Sequence, residues 1–211
     1  MEIKWFKHLA STHKYLIDSV KDSTIAPPLA VGTDFQSNGV GSRGNIWQGD
    51  EGNLYFSFCV EAKHLPKDLK LESISIYFSW ILKEVLYELG SKTWIKWPND
   101  FYIKKQKVGG VITTKIRDTI IGSIGLNILH APEPFAVLDI PILPQNLVKL
   151  FLKKLEEKVS WTNVFSKYKI EFKNSLGFTF HLDGKKVALG DATLCEDGSI
   201  EVENRRVYSL R

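Results

Sequence analysis

The stretch Gly39-Val40-Gly41-Ser42-Arg43-Gly44 constrains this chain most, because of the residues that come after it. It spells G-x-G-x-x-G, the spacing by which a dinucleotide-binding fold turns from a strand into a helix and seats a pyrophosphate on the helix N-terminus. No helix pattern comes next here. Residues 45–52 (NIWQGDEG) lead into residues 53–60 (NLYFSFCV), an aromatic-rich run that reads as a strand. Residues 29–35 read as a buried strand before it. A glycine-rich loop over residues 36–52, flanked by strands on both sides, excludes the doubly wound dinucleotide fold. It keeps one property, since successive glycine N–H groups can form an anion-binding nest, and Arg43 can add a charge-assisted bond. Trp47 either stacks on a base or fills core. Taken locally, a flexible surface connection is an equal reading of the loop.

The rest of the chain predicts an α+β fold. Residues 3–9 form a first strand and residues 11–20 a helix, with Ser11 or Thr12 as its cap. The clearest helix spans residues 71–89, where Ile74, Phe78, Ile81, Val85 and Leu89 recur at three- and four-residue steps and Gly90 supplies the stop. Residues 94–97 are a short strand ended by Pro98. Residues 100–103 and 107–115 pair as strands across a Lys-rich turn. Residues 120–129 are a further strand with internal glycines, which mark close approach of a ligand or another backbone. Residues 131–144 carry four prolines and read as an irregular connection. Helices are expected at 147–159 and 164–172. From residue 175 the pattern changes to short strands at 177–182, 186–194, 199–202 and 206–210. They are separated by Asp183-Gly184, Glu196-Asp197-Gly198 and Glu203-Asn204, and Asp-Gly is a hairpin signal. The expected organisation is a mixed sheet packed with helices over residues 1–173 and a small all-β unit over 174–211, too small to fold alone.

Composition narrows the function classes. The chain has 28 Lys+Arg against 24 Asp+Glu, a formal charge of +4, and its lysines are scattered. That fits an anionic ligand but not the basic stripe of a nucleic-acid module. The lysines at 104–107 and 153–154 read as solvated faces. Two cysteines, Cys59 and Cys195, stand far apart with no metal-knuckle spacing, and no apolar leader opens the chain, so a reduced, cytoplasmic setting is expected. No stretch is long and apolar enough to span a bilayer.

Two further stretches carry chemistry. In Lys96-Trp97-Pro98-Asn99-Asp100, Pro98 ends a strand and leaves Asn99 and Asp100 where a strand end opens onto a site. In Lys107-Val108-Gly109-Gly110-Val111-Ile112, a lysine precedes two glycines that let a ligand lie against bare backbone. Alone, each is an ordinary turn. In order, Ser11-Thr12, Gln36, the glycine stretch with Arg43, Gly52-Asn53-Leu54-Tyr55, KWPND, KVGGVI and Gly125-Leu126-Asn127 resemble the biotin protein ligase family. The resemblance covers residues 2–129 and runs more weakly to the C-terminus.

This resemblance implies an ATP-dependent ligase. Such a ligase makes biotinyl-5′-AMP from biotin and MgATP, then transfers biotin to a lysine of a biotin carboxyl carrier domain such as that of acetyl-CoA carboxylase. It implies a small SH3-like barrel for the C-terminal unit, and either a monomer or a homodimer. By similarity, Lys107 bridges the biotin carboxylate and the α-phosphate, with Arg43 and Asp100 beside it in catalysis. Ser11, Thr12, Gln36, Gly39, Lys107 and Gly110 match the biotin pocket. Arg43, Asn45, Trp47, Asn99 and Asn127 match the nucleotide side. No metal motif is present, so magnesium is expected to arrive with ATP, near Asp100.

Three departures stand out. Val40, Ser42 and Asn45 occupy loop positions where the family often has arginine, which implies weaker retention of the adenylate. His13 replaces the asparagine of the family's Ser-Thr-Asn opening, and reads as a capping or surface group. The chain opens at the first catalytic strand without a helix-turn-helix, so no operator DNA is expected. A lipoate or octanoate ligase or transferase of the same fold, and a non-enzymatic biotin-binding relative, are the competing readings.

Overall fold

A computed structural model describes residues 1–41 and 46–209. One mixed sheet organises the chain. Its first strand, β1 (Glu2–Leu9), leads through α1 (Thr12–Lys21) to β2 (Leu29–Val40), which lies parallel to β1. A parallel neighbour requires such a crossover, and a helix supplies it. The remaining strands are β3 (Ile46–Gly49), β4 (Leu54–Glu61), β5 (Trp94–Lys96), β6 (Asp100–Ile103), β7 (Gln106–Ile116) and β8 (Thr119–Leu126). The sheet order is β1-β2-β4-β8-β7-β6-β5, with β3 paired to β2, and every pair after the first is antiparallel.

Alternation along β4 assigns the two faces. Leu54, Phe56 and Phe58 point into the main core, where Phe58 packs 4.8 Å from Phe78 and 5.2 Å from Phe151 between ring centroids. These partners belong to α2 (Ile74–Glu88) and α3 (Pro144–Glu156). A fourth helix, α4 (Trp161–Glu171), lies against α2 through Trp80 and Tyr168. On the opposite face Cys59 joins Leu16, Val20, Leu29, Val31 and Ile121 under α1.

The helix expected at 71–89 is shorter and more buried than its spacing suggests. Residues Leu71–Ser73 form a 3-10 turn before α2, and Leu89 is exposed. Ile76, Tyr77, Leu82 and Leu86 are buried along with the expected stripe, because sheet, α3 and α4 enclose the helix from several sides. Its stop is as expected. Gly90 has φ +92°, its N–H donates to Tyr87 O, and Ser91 N–H donates to Leu86 O, which together form a Schellman cap.

The loop expected at 36–52 is corrected at both ends. Strand β2 continues to Val40, and β3 returns along it with Gly39 opposite Trp47 and Val40 opposite Ile46. Ladder pairing, not side-chain alternation, holds these polar and glycine residues extended. Residues Arg43 and Asn45 lie outside the described residues.

The last 35 or so residues carry β9 (Thr179–Leu182), β10 (Lys185–Ala188), β11 (Thr193–Leu194), β12 (Ile200–Val202) and β13 (Arg205–Val207). They form a two-stranded and a three-stranded sheet. The single strand expected at 186–194 is broken, because Ala192 N–H turns back to Leu189 O. Asp183-Gly184 and Glu203-Asn204 both have positive φ at each central residue, the geometry that a two-residue hairpin turn needs. Phe180, Val187, Leu189, Ile200, Val202 and Val207 enter the same core as α2 and α4.

Candidate active site

The α1 face of the sheet is apolar at one end and polar at the other. Where it turns polar, a cavity of about 360 Å³ opens. That size suits a small organic ligand. Its closed end is built by the N-terminus of α1. Ser11 has extended backbone and caps the helix by accepting from Lys14 N–H at 3.4 Å. Thr12 N–H and Thr12 Oγ1 both donate to Gln36 Oε1, at 2.8 and 3.1 Å, which joins the helix start to β2. Ser11, Thr12 and Gln36 are all buried and line the cavity.

The other end is ionic. The antiparallel pairing of β6 with β7 sets Asp100 opposite Gly110. Lys107 Nζ then reaches Asp100 Oδ1 at 2.6 Å, and the two side chains are about a quarter exposed, at 23% and 24%. Asn99 is held by its side-chain amide, which donates to Val111 O. A Cβ on Gly110 would lie 3.1 Å from Asp100 Oδ1 and 3.7 Å from Lys107 Nζ, so any side chain there crowds the ion pair. Trp47 forms a wall. Its indole lies over Gly125, where a Cβ would come within 2.8 Å of the ring, and its Nε1 has no partner among the described residues.

Of the residues expected from sequence, Ser11, Thr12, Gln36, Trp47, Asn99, Asp100, Lys107 and Gly110 line this one cavity. Gly39 stands beside it: a Cβ there would meet Trp47 O at 2.4 Å and Gln36 Nε2 at 2.8 Å. Asn127 does not reach the lining. It is buried, its amide donates to Ala136 O at 3.3 Å, and its backbone bonds Val108 and Leu138. Asn53 performs a similar tethering task, accepting at Oδ1 from the N–H groups of Ile128, Leu129 and His130. Among the described residues there is no group of three or more His, Cys, Asp or Glu able to hold a metal.

His13 departs from the surface role expected for it. It is buried at 8% exposure, lines the cavity, and bonds Ser123 Oγ through Nδ1 at 2.7 Å. The signal was present in the sequence, since His13 lies on one helical stripe with Leu16 and Val20. Ser123 and Phe135 also line the cavity. Phe135 has no periodic signal, because it comes from the proline-rich connection.

Burial pushes the His13 imidazole down from 6.5 to about 4. Below pH 6.5 the unfolded chain binds a proton that the folded chain resists. Stability from this residue is therefore complete above pH 6.5 and is lost as pH falls toward 4. At pH 4.5 the loss is on the order of 2–3 kcal/mol. Urea unfolding of the native chain and of His13→Asn at pH 7 and pH 4.5 measures it. The native chain is expected to lose about that much more than the variant; equal losses would contradict the assignment.

Comparison with known proteins gives a consistent family. A model described as the biotin/lipoate A/B protein ligase family matches residues 5–128. A biotin acetyl coenzyme A carboxylase synthetase from Helicobacter pylori, solved with bound biotinylated ATP, is 41% identical, with a TM-score of 0.93 over 98% of this chain and 99% of its own. Biotin–protein ligase 2 of Arabidopsis thaliana is 28% identical over 171 residues, 72% of this chain and 51% of its own. The bifunctional ligase/repressor BirA of Escherichia coli is 32% identical over 104 residues, 48% of this chain and 31% of its own. The matched part thus spans about half or less of these curated relatives. Biotin protein ligase from Aquifex aeolicus shares the fold, with a TM-score of 0.77 at 23% identity, 98% of this chain and 94% of its own.

Proposed function

The chain belongs to the biotin/lipoate A/B protein ligase family, and on that premise we propose that it activates biotin with ATP and transfers it to a lysine of a biotin carboxyl carrier domain. One observation carries the reading. A single cavity has a neutral hydrogen-bonding end at Ser11, Thr12 and Gln36 and an ionic end at Lys107 and Asp100. Biotin has that polarity, with an uncharged ureido ring at one end and a carboxylate at the other.

The chemistry comes from the ionic end. A carboxylate oxygen attacks the α-phosphorus of ATP, a P–O bond forms, and pyrophosphate leaves with the electrons of the broken bond. Two anions must approach for this to happen. The Lys107 ammonium lies where it can neutralise both, and such preorganised charge lowers the barrier more than it stabilises the ground state. Asp100, 2.6 Å away, keeps the ammonium pointed at the reacting atoms. In the second step the acceptor lysine amine attacks the acyl carbon of biotinyl-5′-AMP and AMP leaves, so no protein nucleophile is required.

Ser11, Thr12 and Gln36 hold the ureido ring, and the bare backbones of Gly39 and Gly110 let biotin lie close. Asn99 and Asp100 face the triphosphate, and Trp47 packs beside the adenine. The family resemblance assigns Arg43 and Asn45 to the nucleotide, and Asn127 tethers the proline-rich connection beside the site. Magnesium is carried in by ATP, where it offsets phosphate charge. Asp100 is a suitable single carboxylate for it, since magnesium is commonly held by one or two carboxylates plus phosphates.

Residues 174–211 are read as a small SH3-like β domain docked on the 1–173 ligase domain. Tryptophan bonds between the two support this: Trp97 Nε1–H to Gly198 O and Trp161 Nε1–H to Glu196 O, both at 2.8 Å. Cys59 and Cys195 are both free, which fits the reducing cytoplasm. No helix among the described residues is long and apolar enough to cross a membrane.

The test is transfer of biotin to an isolated carboxyl-carrier domain with MgATP, run beside lipoate. Biotin-dependent pyrophosphate release and labelling of the acceptor are expected. Labelling with lipoate alone would overturn the reading.

A further inference from the structure

Two segments bring aromatic rings to the cavity. One is β3, which carries Trp47 and enters β4 at Leu54. The other leaves β8 at Leu126 and leads to Phe135 in the proline-rich connection. Antiparallel pairing of Leu54 with Leu126 sets these two chain ends side by side. Asn53 stands at the junction and is buried.

The Asn53 side chain uses both of its polar atoms there. Oδ1 accepts from the N–H groups of Ile128, Leu129 and His130 at 2.8, 2.9 and 3.1 Å. Nδ2 donates to His130 O at 2.8 Å. Successive backbone N–H groups aimed at one point form a nest that suits an anion, and here an uncharged amide oxygen fills it. Neighbouring contacts carry the grip toward both rings. Tyr55 Oη–H donates to Asp50 O at 2.8 Å and closes the turn that follows β3. A Cβ on Gly52 would come within 2.8 Å of Leu129 Cδ2, so that turn lies directly on the connection. Farther along, Ala136 N–H donates to Lys107 O at 3.0 Å, which seats Phe135 beside the ionic end. Leu129, Phe135 and Val137 are all exposed. Burial therefore holds little of this stretch, and hydrogen bonds must do it instead.

We propose that Asn53 is a positioning residue for the nucleotide: it holds the Phe135 segment at a fixed place against the Trp47 strand, and so sets the aromatic walls of the cavity for the adenylate. This rests on the ATP-dependent reading above and deepens it. Asn53 itself does not reach the cavity lining, so it acts through the placement of Phe135. A planar base gains from an aromatic face only at close, offset or edge-on geometry, and drift of one wall loses it. Ser11, Thr12 and Gln36 sit at the opposite end on α1 and β2 and are held by their own bonds. Nucleotide affinity should therefore change where biotin affinity does not.

Pyrophosphate release measured against ATP at saturating biotin, beside calorimetric titration of biotin alone, provides the test. In Asn53→Ala, KM for ATP is expected to rise about tenfold, with Kd for biotin within about twofold of wild type. Asn53→Asp keeps an acceptor for the three N–H groups but sets a carboxylate oxygen against His130 O, and a rise of about threefold in KM for ATP is expected. A double-mutant cycle with Phe135→Ala shows whether Asn53 acts through that ring. On the Phe135→Ala background, Asn53→Ala should add less than about threefold. Three results overturn the proposal: an unchanged KM for ATP in folded Asn53→Ala, equal losses for ATP and biotin, or an effect as large on the Phe135→Ala background as alone. If Asn53→Ala does not fold, Asn53→Asp decides by the same readings. If wild type releases pyrophosphate with lipoate and not biotin, the functional proposal falls, and the ATP comparison run with lipoate still decides the role of Asn53. If neither acid supports release, both fall.

Discussion

Replacing Lys107 with Ala is expected to lower biotin-dependent pyrophosphate release by about 10²–10³-fold or more while leaving the fold intact, since removal of one preorganised charge contact costs this much in comparable sites. Lys107 is the described cation at the ionic end of the cavity, and carboxylate and α-phosphate must meet there. The expected stability change is small. Both members of the Lys107–Asp100 pair are about a quarter exposed, and pairs with solvent access contribute roughly 0–1 kcal/mol. Activity and stability should therefore separate, and thermal melting beside the pyrophosphate assay would show it. Lys107→Arg is a useful companion, because it keeps the charge but replaces a compact ammonium by a planar fork. Partial activity in Lys107→Arg with none in Lys107→Ala would match a role that is electrostatic and geometric. Near-normal turnover by Lys107→Ala would remove the central assignment.

Replacing Trp97 with Ala is expected to have the opposite profile, a large loss of stability that takes activity with it. Trp97 is fully buried and packs 5.2 Å from Phe180 between ring centroids. Its backbone N–H donates to Ser175 Oγ at 3.0 Å and its indole N–H to Gly198 O at 2.8 Å. One side chain thus joins the C-terminal strands to the turn that carries Asn99 and Asp100. Truncating a buried aromatic of this size costs about 3–5 kcal/mol, a large part of the roughly 5–15 kcal/mol that holds a domain folded. Trp97→Phe keeps a ring but orphans the Gly198 carbonyl, at about 1–3 kcal/mol. Urea unfolding with an unchanged slope should rank native above Phe above Ala. A loss below about 1 kcal/mol in Trp97→Ala would mean that the C-terminal strands are held by other contacts.

Much of this is legible locally. The Gly90 stop, the Ser11 cap and the turns at Asp183-Gly184 and Glu203-Asn204 depend on the φ preference or side-chain reach of one or two residues, and each stands where the sequence put it. The extension of β2 through Ser37-Asn38-Gly39 is not legible that way. Those residues have no apolar alternation: pairing with β3 at Gln36 and Gly39 brackets them, and Asn38 N–H donates to Ala10 O. His13 differs from its expected role for the opposite reason. Its helical stripe is visible, but a polar side chain at a helix start suggests solvent. Only the packing of α1 on β4 and β8 brings Ser123 to its Nδ1.

By itself the sequence determined that a G-x-G-x-x-G stretch between two strands could not seat a pyrophosphate on a helix, and that its motifs, taken in order, resemble the biotin protein ligases. Both depend on order along the chain, which is a one-dimensional property. Tertiary structure decided how α1, β2, β3, β6, β7 and β8 converge on one cavity. It made Asp100 the partner of Lys107, and it brought His13, Ser123 and Ser57 within hydrogen-bond distance of one another. Donor and acceptor roles depend on distances of 2.6–3.3 Å between residues up to 110 positions apart, and no local propensity encodes them.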